Sequence, residues 1–207
     1  MKKASRITCL FVDIGGVLLT DGWGRVFRDR AVKEFGLNSE ELESRHSQAA
    51  DTYELGKLTL EEYLDRVVFY KKRPFGRERF RQFMFAQSRP FPEMIQLVRK
   101  IKALNEMKVV VVSNESRELN DHRIRKFKLE EFVDFFVSSC YVGIRKPDAD
   151  IYRFAMDTAR VTAKRVVYIE NTPMFVNVAE GMGIRSVFHA NIETTRVKLA
   201  SFGLRHD

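Results

Sequence analysis

Three apolar runs in this chain each end on side chains that can do chemistry, and a further such residue stands in a turn. Asp13 follows the run 7–12, Ser113 and Asn114 close the run of four valines at 109–112, and Glu170 and Asn171 follow 166–169. Lys146 stands in the turn Gly143-Ile144-Arg145-Lys146-Pro147-Asp148. Taken singly, these residues have ordinary readings. Asp13 suits a turn, Ser113-Asn114 a helix N-cap, Lys146 a solvated turn and Glu170 a surface acid. Together they make a set suited to phosphoryl transfer. A carboxylate such as Asp13 can attack phosphorus and form an acyl phosphate, splitting one hard step into two. The attack brings anion to anion, so the set asks for a divalent cation. Mg²⁺ takes hard oxygen ligands and keeps several waters, and Asp13 and Glu170 could supply its carboxylate ligands. Ser113, Asn114, nearby backbone N–H groups and Lys146 could hold phosphoryl oxygens and stabilise developing charge.

These residues need a scaffold that brings them to one edge. The runs 7–12 and 108–113 are apolar and rich in β-branched residues, as strands buried on both faces are, and 134–138, 166–169 and 186–188 read as further strands. Helical periodicity fills 26–35, 39–53, 59–70 and 77–87, and then 93–106, 118–127, 148–160, 174–181 and 194–202. Asn38 ahead of Glu41, and Thr59 three residues before Glu62, are helix-start signals; Gly36 and Gly56 are stops. Strands alternating with helices imply an α/β fold with a parallel sheet covered on both faces. Such sheets bind ligands beyond the carboxyl ends of their strands, where the reactive residues fall.

Bulk properties are compatible with this. The 207 residues suit one core and a modest insertion, and 44% hydrophobic with 31% charged residues is ordinary for a folded domain. Cys9 and Cys140 sit in or beside apolar runs without CxxC spacing, so they read as buried thiols in a reducing, cytoplasmic setting. The first residues carry Lys2, Lys3 and Arg6 but no long apolar stretch follows, so neither a signal peptide nor a membrane span is expected. The net charge of +8 favours an anionic substrate. The basic residues are scattered among acids, so nucleic acid is not the expected partner, and the densest group (Lys71, Lys72, Arg73, Arg77, Arg79 and Arg81) reads as a solvated helical face. His46, His122, His189 and His206 lack metal-ligand spacing. A monomer or homodimer is expected.

The segment Phe11-Val12-Asp13-Ile14-Gly15-Gly16-Val17-Leu18 resembles the first motif of the haloacid dehalogenase (HAD) superfamily, in its D-x-G-G form. Val110-Val111-Val112-Ser113-Asn114 resembles the second motif, and Lys146-Pro147-Asp148 with Ile151-Tyr152 the third. Val167-Tyr168-Ile169-Glu170-Asn171, with Asn177-Val178 and Gly181-Met182-Gly183 beyond, resembles the fourth. The stretch Glu54-Leu55-Gly56-Lys57-Leu58-Thr59 looks like the substrate-facing turn of a subfamily I helical cap. The resemblance implies a Rossmann-like core at 1–19 and 90–207 and a helical cap at 20–89. It implies Asp13 as nucleophile, Lys146 orienting it, Ser113 binding phosphate, and Mg²⁺ held by Asp13, the Gly15 carbonyl, Glu170 and Asn171. Glu54 and Trp23 would meet the substrate from the cap side. The implied activity is Mg²⁺-dependent hydrolysis of a small phosphomonoester, such as a sugar phosphate or nucleotide.

Two departures bear on that expectation. The usual acid/base aspartate is Gly15, and loss of such a group costs about 10²–10⁴-fold; Asp21 and Glu54 are the nearest substitutes. Asn171 stands where the family often has aspartate and removes one negative charge from the metal set. The alternative they raise is a relative that binds a phosphorylated ligand or partner without turnover.

Overall fold

The computed structural model describes residues 6–205; Lys2, Lys3 and His206 lie outside them. Five strands form one sheet: β1 (Cys9–Val12), β2 (Lys108–Ser113), β3 (Phe135–Ser138), β4 (Val166–Glu170) and β5 (Arg185–Phe188). All neighbouring pairs are parallel and the order is β3-β2-β1-β4-β5. The chain therefore builds outward from β1 in one direction and then in the other, so β1 is central and its carboxyl end is the switch point where such sheets hold ligands.

Register explains why the strands read as unbroken apolar runs. Leu10 pairs with Val109 and Val167, and Val12 with Val111 and Ile169; these side chains share one face of the sheet and pack in one core. Cys9 and Phe11, with Val110, Val112 and Tyr168, point into the core on the opposite face. Helices α5 (Pro92–Asn105) and α10 (Ile192–Ser201) contribute Leu97, Ile101 and Leu199 to the first core, and α8 (Ala149–Ala159) and α9 (Pro173–Gly181) contribute Ile151, Tyr152 and Ala179 to the second. Between β2 and β4 also lie α6 (Arg117–Lys126) and the single-turn α7 (Ser139–Val142). Cys9 and Cys140 are buried and unpaired.

A separate helical block follows β1: α1 (Arg25–Phe35), α2 (Ser39–Glu54), α3 (Leu60–Val67) and α4 (Arg77–Ala86). It has its own core around Phe35, Tyr53, Tyr63 and Phe80, with Phe35 ringed by Phe75, Phe80 and Phe83 at 4.6–5.2 Å. The sequence signals at its helix starts are realised. Asn38 Oδ1 accepts from Glu41 N, and Thr59 with Glu62 forms a capping box. α3 ends three residues before the periodicity suggests, because Phe69 N turns back to Leu64 O and Arg73 Nε caps Val68 O. The basic group on this block is locally paired: Lys71 with Glu41, Arg77 with Asp65, Arg79 with Glu34 and Arg81 with Glu78.

Two crossing segments join block and core, and they lie side by side. Thr20 N donates to Arg89 O, Thr20 Oγ1 to Gln87 O, and Phe91 N to Leu18 O, with an antiparallel bridge between Leu19 and Pro90. A third approach is sterically exacting. A side chain at Gly56 would place Cβ 2.3 Å from Cys140 O, and its φ of +70° is left-handed, so glycine lets the block touch α7 backbone. No described helix is long and apolar enough to cross a membrane.

Candidate active site

Beyond the carboxyl ends of β1, β2 and β4 lies a cleft of about 330 Å³, whose lining includes Asp13, Ser113, Lys146 and Asn171. Asp13 is held by its backbone, with its N–H on Ile169 O, and its Oδ1 accepts from Ile14 N at 2.9 Å. Lys146 Nζ is 3.1 Å from Asp13 Oδ1 and 2.6 Å from Glu170 Oε2, and the lysine side chain is 1% exposed. It also donates to Tyr168 Oη at 3.2 Å and lies over the Phe175 ring. Burial by itself would lower the Lys146 ammonium, but Asp13 and Glu170 outweigh it and hold the group above the usual lysine range. Burial pushes the Asp13 carboxyl up to about 7; Lys146 opposes that shift, Glu170 adds to it, and the Ser113 hydroxyl bond opposes it again. Two buried carboxylates thus share one ammonium.

Two expected roles are changed by the geometry. Glu170 was expected to hold a metal. Its Oε2 instead takes Lys146 and the Tyr168 hydroxyl, and its Oε1 takes Thr172 N. It is fully buried, spent as counter-ion to Lys146. Asn114 was expected to bind phosphate. Its amide instead clamps the backbone of Lys146, donating to Lys146 O at 2.9 Å and accepting from Lys146 N at 2.8 Å. It positions the lysine and leaves Ser113 as the hydroxyl beside Asp13.

Asn171 lies against the first motif. In the amide orientation that satisfies its neighbours, its nitrogen donates to Gly15 O at 3.3 Å and to Glu170 Oε1 at 2.9 Å. The contact is close enough that a Cβ on Gly16, whose φ is +71°, would fall 2.0 Å from the Asn171 amide. A cation here would lean on one carboxylate oxygen of Asp13 and on the Gly15 carbonyl, and the Asn171 oxygen would join them once its amide turned over. Among the described residues no group of three His, Cys, Asp or Glu side chains is gathered for a metal. The Asp13 carboxylate beside the Gly15 carbonyl fits Mg²⁺, which needs one or two carboxylates and fills its shell with water and phosphate oxygens.

Several contributors were not singled out from sequence. Glu115 and Arg123 form a buried pair at 2.8 and 3.0 Å under the cleft, and Arg123 also donates to Thr20 O. Arg145 ties the third motif to the helical block through Asp51 and Glu54. Tyr168 could have been found from its position, two residues before Glu170 on the same strand face. Beside the cleft, between block and core, is a second cavity of about 220 Å³ whose lining includes Asp21, Trp23, Arg28, His46, Tyr53 and Glu54. Trp23 packs here, its indole N–H on Tyr63 Oη at 2.9 Å, and His46 Nδ1 shares that hydroxyl at 2.7 Å. Glu54 reaches both cavities, with burial pushing its carboxyl up and Arg145 opposing.

A family model described as haloacid dehalogenase-like hydrolase matches residues 7–183, nearly all of the sheet and the whole helical block. The chain belongs to this family. Within HAD-like hydrolases it is 24% identical over 132 residues to the phosphorylated carbohydrates phosphatase of Thermotoga maritima, covering 64% of this chain and 56% of that one. It is 28% identical over 113 residues to bifunctional epoxide hydrolase 2 of Rattus norvegicus, 53% of this chain but 20% of that protein. The chain thus spans a fifth of the rat protein and about half of the Thermotoga one. A HAD family enzyme from Bacteroides thetaiotaomicron, solved with magnesium and inorganic phosphate, superposes with a TM-score of 0.74 over 88% of this chain and 93% of that one at 18% identity, a likeness of fold.

Proposed function

We propose that this HAD-like hydrolase cleaves small phosphomonoesters through an aspartyl-phosphate at Asp13, with Mg²⁺. The observation that carries the reading is the placement of the Asp13 carboxylate at the switch point, 3.1 Å from a buried lysine and lining the same cleft as Ser113 and the Gly15 backbone. The Thermotoga relative, named as a phosphatase of phosphorylated carbohydrates, and the Bacteroides enzyme, crystallised with magnesium and phosphate, support it. Asp13 and Gly15 O, with Asn171 beside them, would hold Mg²⁺, which when bound would neutralise charge between an anionic nucleophile and an anionic ester.

The chain's own residues do the rest. Lys146 holds Asp13 in one rotamer and offers positive charge to the phosphoryl oxygens. Glu170, Tyr168 and Asn114 fix Lys146. Ser113, whose hydroxyl lies within reach of Asp13 and of Glu115 Oε1, would turn its one proton to the incoming phosphoryl group. The helical block serves as a cap over 20–89, with its cavity by Trp23, Tyr53 and Glu54 receiving the leaving group and limiting water. Halide removal from a haloacid would instead need a cation to hold the substrate carboxylate. The arginines lining the two cavities are already committed, Arg28 to Glu43 and Arg145 to Asp51 and Glu54.

The test is release of orthophosphate from a panel of phosphomonoesters, with and without Mg²⁺, beside Asp13→Asn. Release that needs Mg²⁺ and disappears in the variant is the expected result. A folded protein that releases no phosphate and gains no phosphoryl group from any member would favour a relative that binds without turnover.

A further inference from the structure

The motif position that usually carries the acid/base carboxylate is Gly15, and the structure shows what fills its surroundings. A Cβ on Gly15 would lie 3.5 Å from Asp21 Oδ1 and 3.6 Å from Asp21 Cα. The same oxygen is 3.1 Å from the place of a Cβ on Gly16, and Asp21 Oδ2 is 3.3 Å from that of Gly24. Three glycines thus flank the Asp21 carboxylate, which neighbours the position where a side chain at residue 15 would begin. Asp21 lines both the cleft over Asp13 and the cavity under the helical block, the two places between which a scissile ester bond would run.

Its state of pairing separates it from its neighbours. Four carboxylates line the cleft: Asp13, Asp21, Glu54 and Glu115. Asp13 has Lys146, Glu54 has Arg145 and Glu115 has Arg123. Asp21 takes no side-chain hydrogen bond or ion pair from the described residues. Its backbone is nevertheless held, with Trp23 N on Asp21 O and the preceding Thr20 bonded to Arg89 and Arg123. An exposed carboxylate on a held backbone and free of a cation is suited to proton transfer, since it has no ion pair to break when it gains or loses a proton.

We propose that Asp21 is the general acid/base that stands in for the absent aspartate at position 15. The assignment rests on the phosphatase reading above. In the first half-reaction the Asp13 oxygen bonds phosphorus, the ester P–O bond breaks, and the Asp21 carboxyl gives its proton to the departing oxygen, which leaves as an alcohol. In the second, the Asp21 carboxylate takes a proton from a water whose oxygen bonds phosphorus. The Asp13–phosphorus bond breaks, orthophosphate leaves, Asp13 is again a carboxylate and Asp21 again protonated.

The test compares Asp21→Asn with the unaltered chain on two substrates, glycerol phosphate, whose alkoxide needs a proton to leave, and p-nitrophenyl phosphate, whose phenolate does not. With Asp21→Asn, turnover of glycerol phosphate falls by about 10²–10⁴-fold. p-Nitrophenyl phosphate gives a burst of phenolate equal to the protein present, then slow turnover, with the phosphoryl mass retained on the protein after acid quench. Glu54→Gln is the control for the neighbouring carboxylate and gives no burst. Equal losses of Asp21→Asn on both substrates without a burst, or turnover like that of the unaltered chain, would overturn the assignment while leaving the phosphatase reading intact. An unaltered chain that neither releases phosphate nor becomes phosphorylated would overturn both.

Discussion

Asp13 is predicted to be a burden on stability, and Asp13→Asn to relieve it. In the unfolded chain this carboxyl titrates near 3.8; in the fold, burial carries it up to about 7 against the pull of Lys146. The folded protein therefore binds more protons than the unfolded one across that interval, and stability falls as pH rises through it. The contribution is fully present below about 3.8 and fully lost above about 7. Integrated over the shift, the ionised carboxylate costs about 4 kcal/mol near pH 8 and about 2 kcal/mol near pH 5. Asparagine keeps the shape and neutrality of the protonated acid and leaves Lys146 paired with Glu170. In divalent-free buffer, urea unfolding of Asp13→Asn should show a gain of about 2–4 kcal/mol near pH 8, equivalent to roughly 4–16 °C in Tm, and about half that near pH 5. A variant no more stable than the parent near pH 8, or one with the same advantage at both pH values, would refute the argument that uncompensated charge is held at this strand end.

Gly16→Ala should destabilise the fold by about 1–3 kcal/mol, because its φ is +71° and the new Cβ would meet the Asn171 amide, whereas Gly15→Ala should cost under about 1 kcal/mol; paired urea curves check the contrast. Arg123→Met should cost about 3–5 kcal/mol by stranding Glu115, and much of that should return when Glu115→Leu is added; a double-mutant cycle showing simple additivity would contradict it. Asn171→Asp should tighten Mg²⁺ binding by roughly tenfold by adding a charged ligand, read by calorimetry; unchanged affinity would place the amide away from the cation.

The sheet was legible because strands buried on both faces leave unbroken apolar runs, and β2 has the bounds its valines suggest. The convergence of Asp13, Ser113, Lys146 and Asn171 was legible for a related reason: each follows a strand or stands in the turn before a helix, and a parallel sheet sends all such positions to one edge. Commitments between side chains were not legible. Glu170 could have faced the cleft or the core, and the choice is made by Tyr168 and Thr172 N, which claim both its oxygens once β4 and α9 are in place. Arg123 sits on α6 among Arg125 and Lys126, where a solvated role is the natural reading. It is buried because β2 delivers Glu115, and the crossing segment delivers Thr20 O, to the same point from sequence positions far apart.

The side-by-side crossing of 18–20 and 87–91 has a mechanical consequence. Two separate tethers would let the helical block wander in several directions over the sheet. Two tethers bonded to each other act as a single pin, like the spine of a book, and leave rotation about that pin as the soft direction. If the block turns on that pin, the contacts of Arg145 with Asp51 and Glu54, and of Ser139 with Glu54 O, are the ones that must part to widen the cleft.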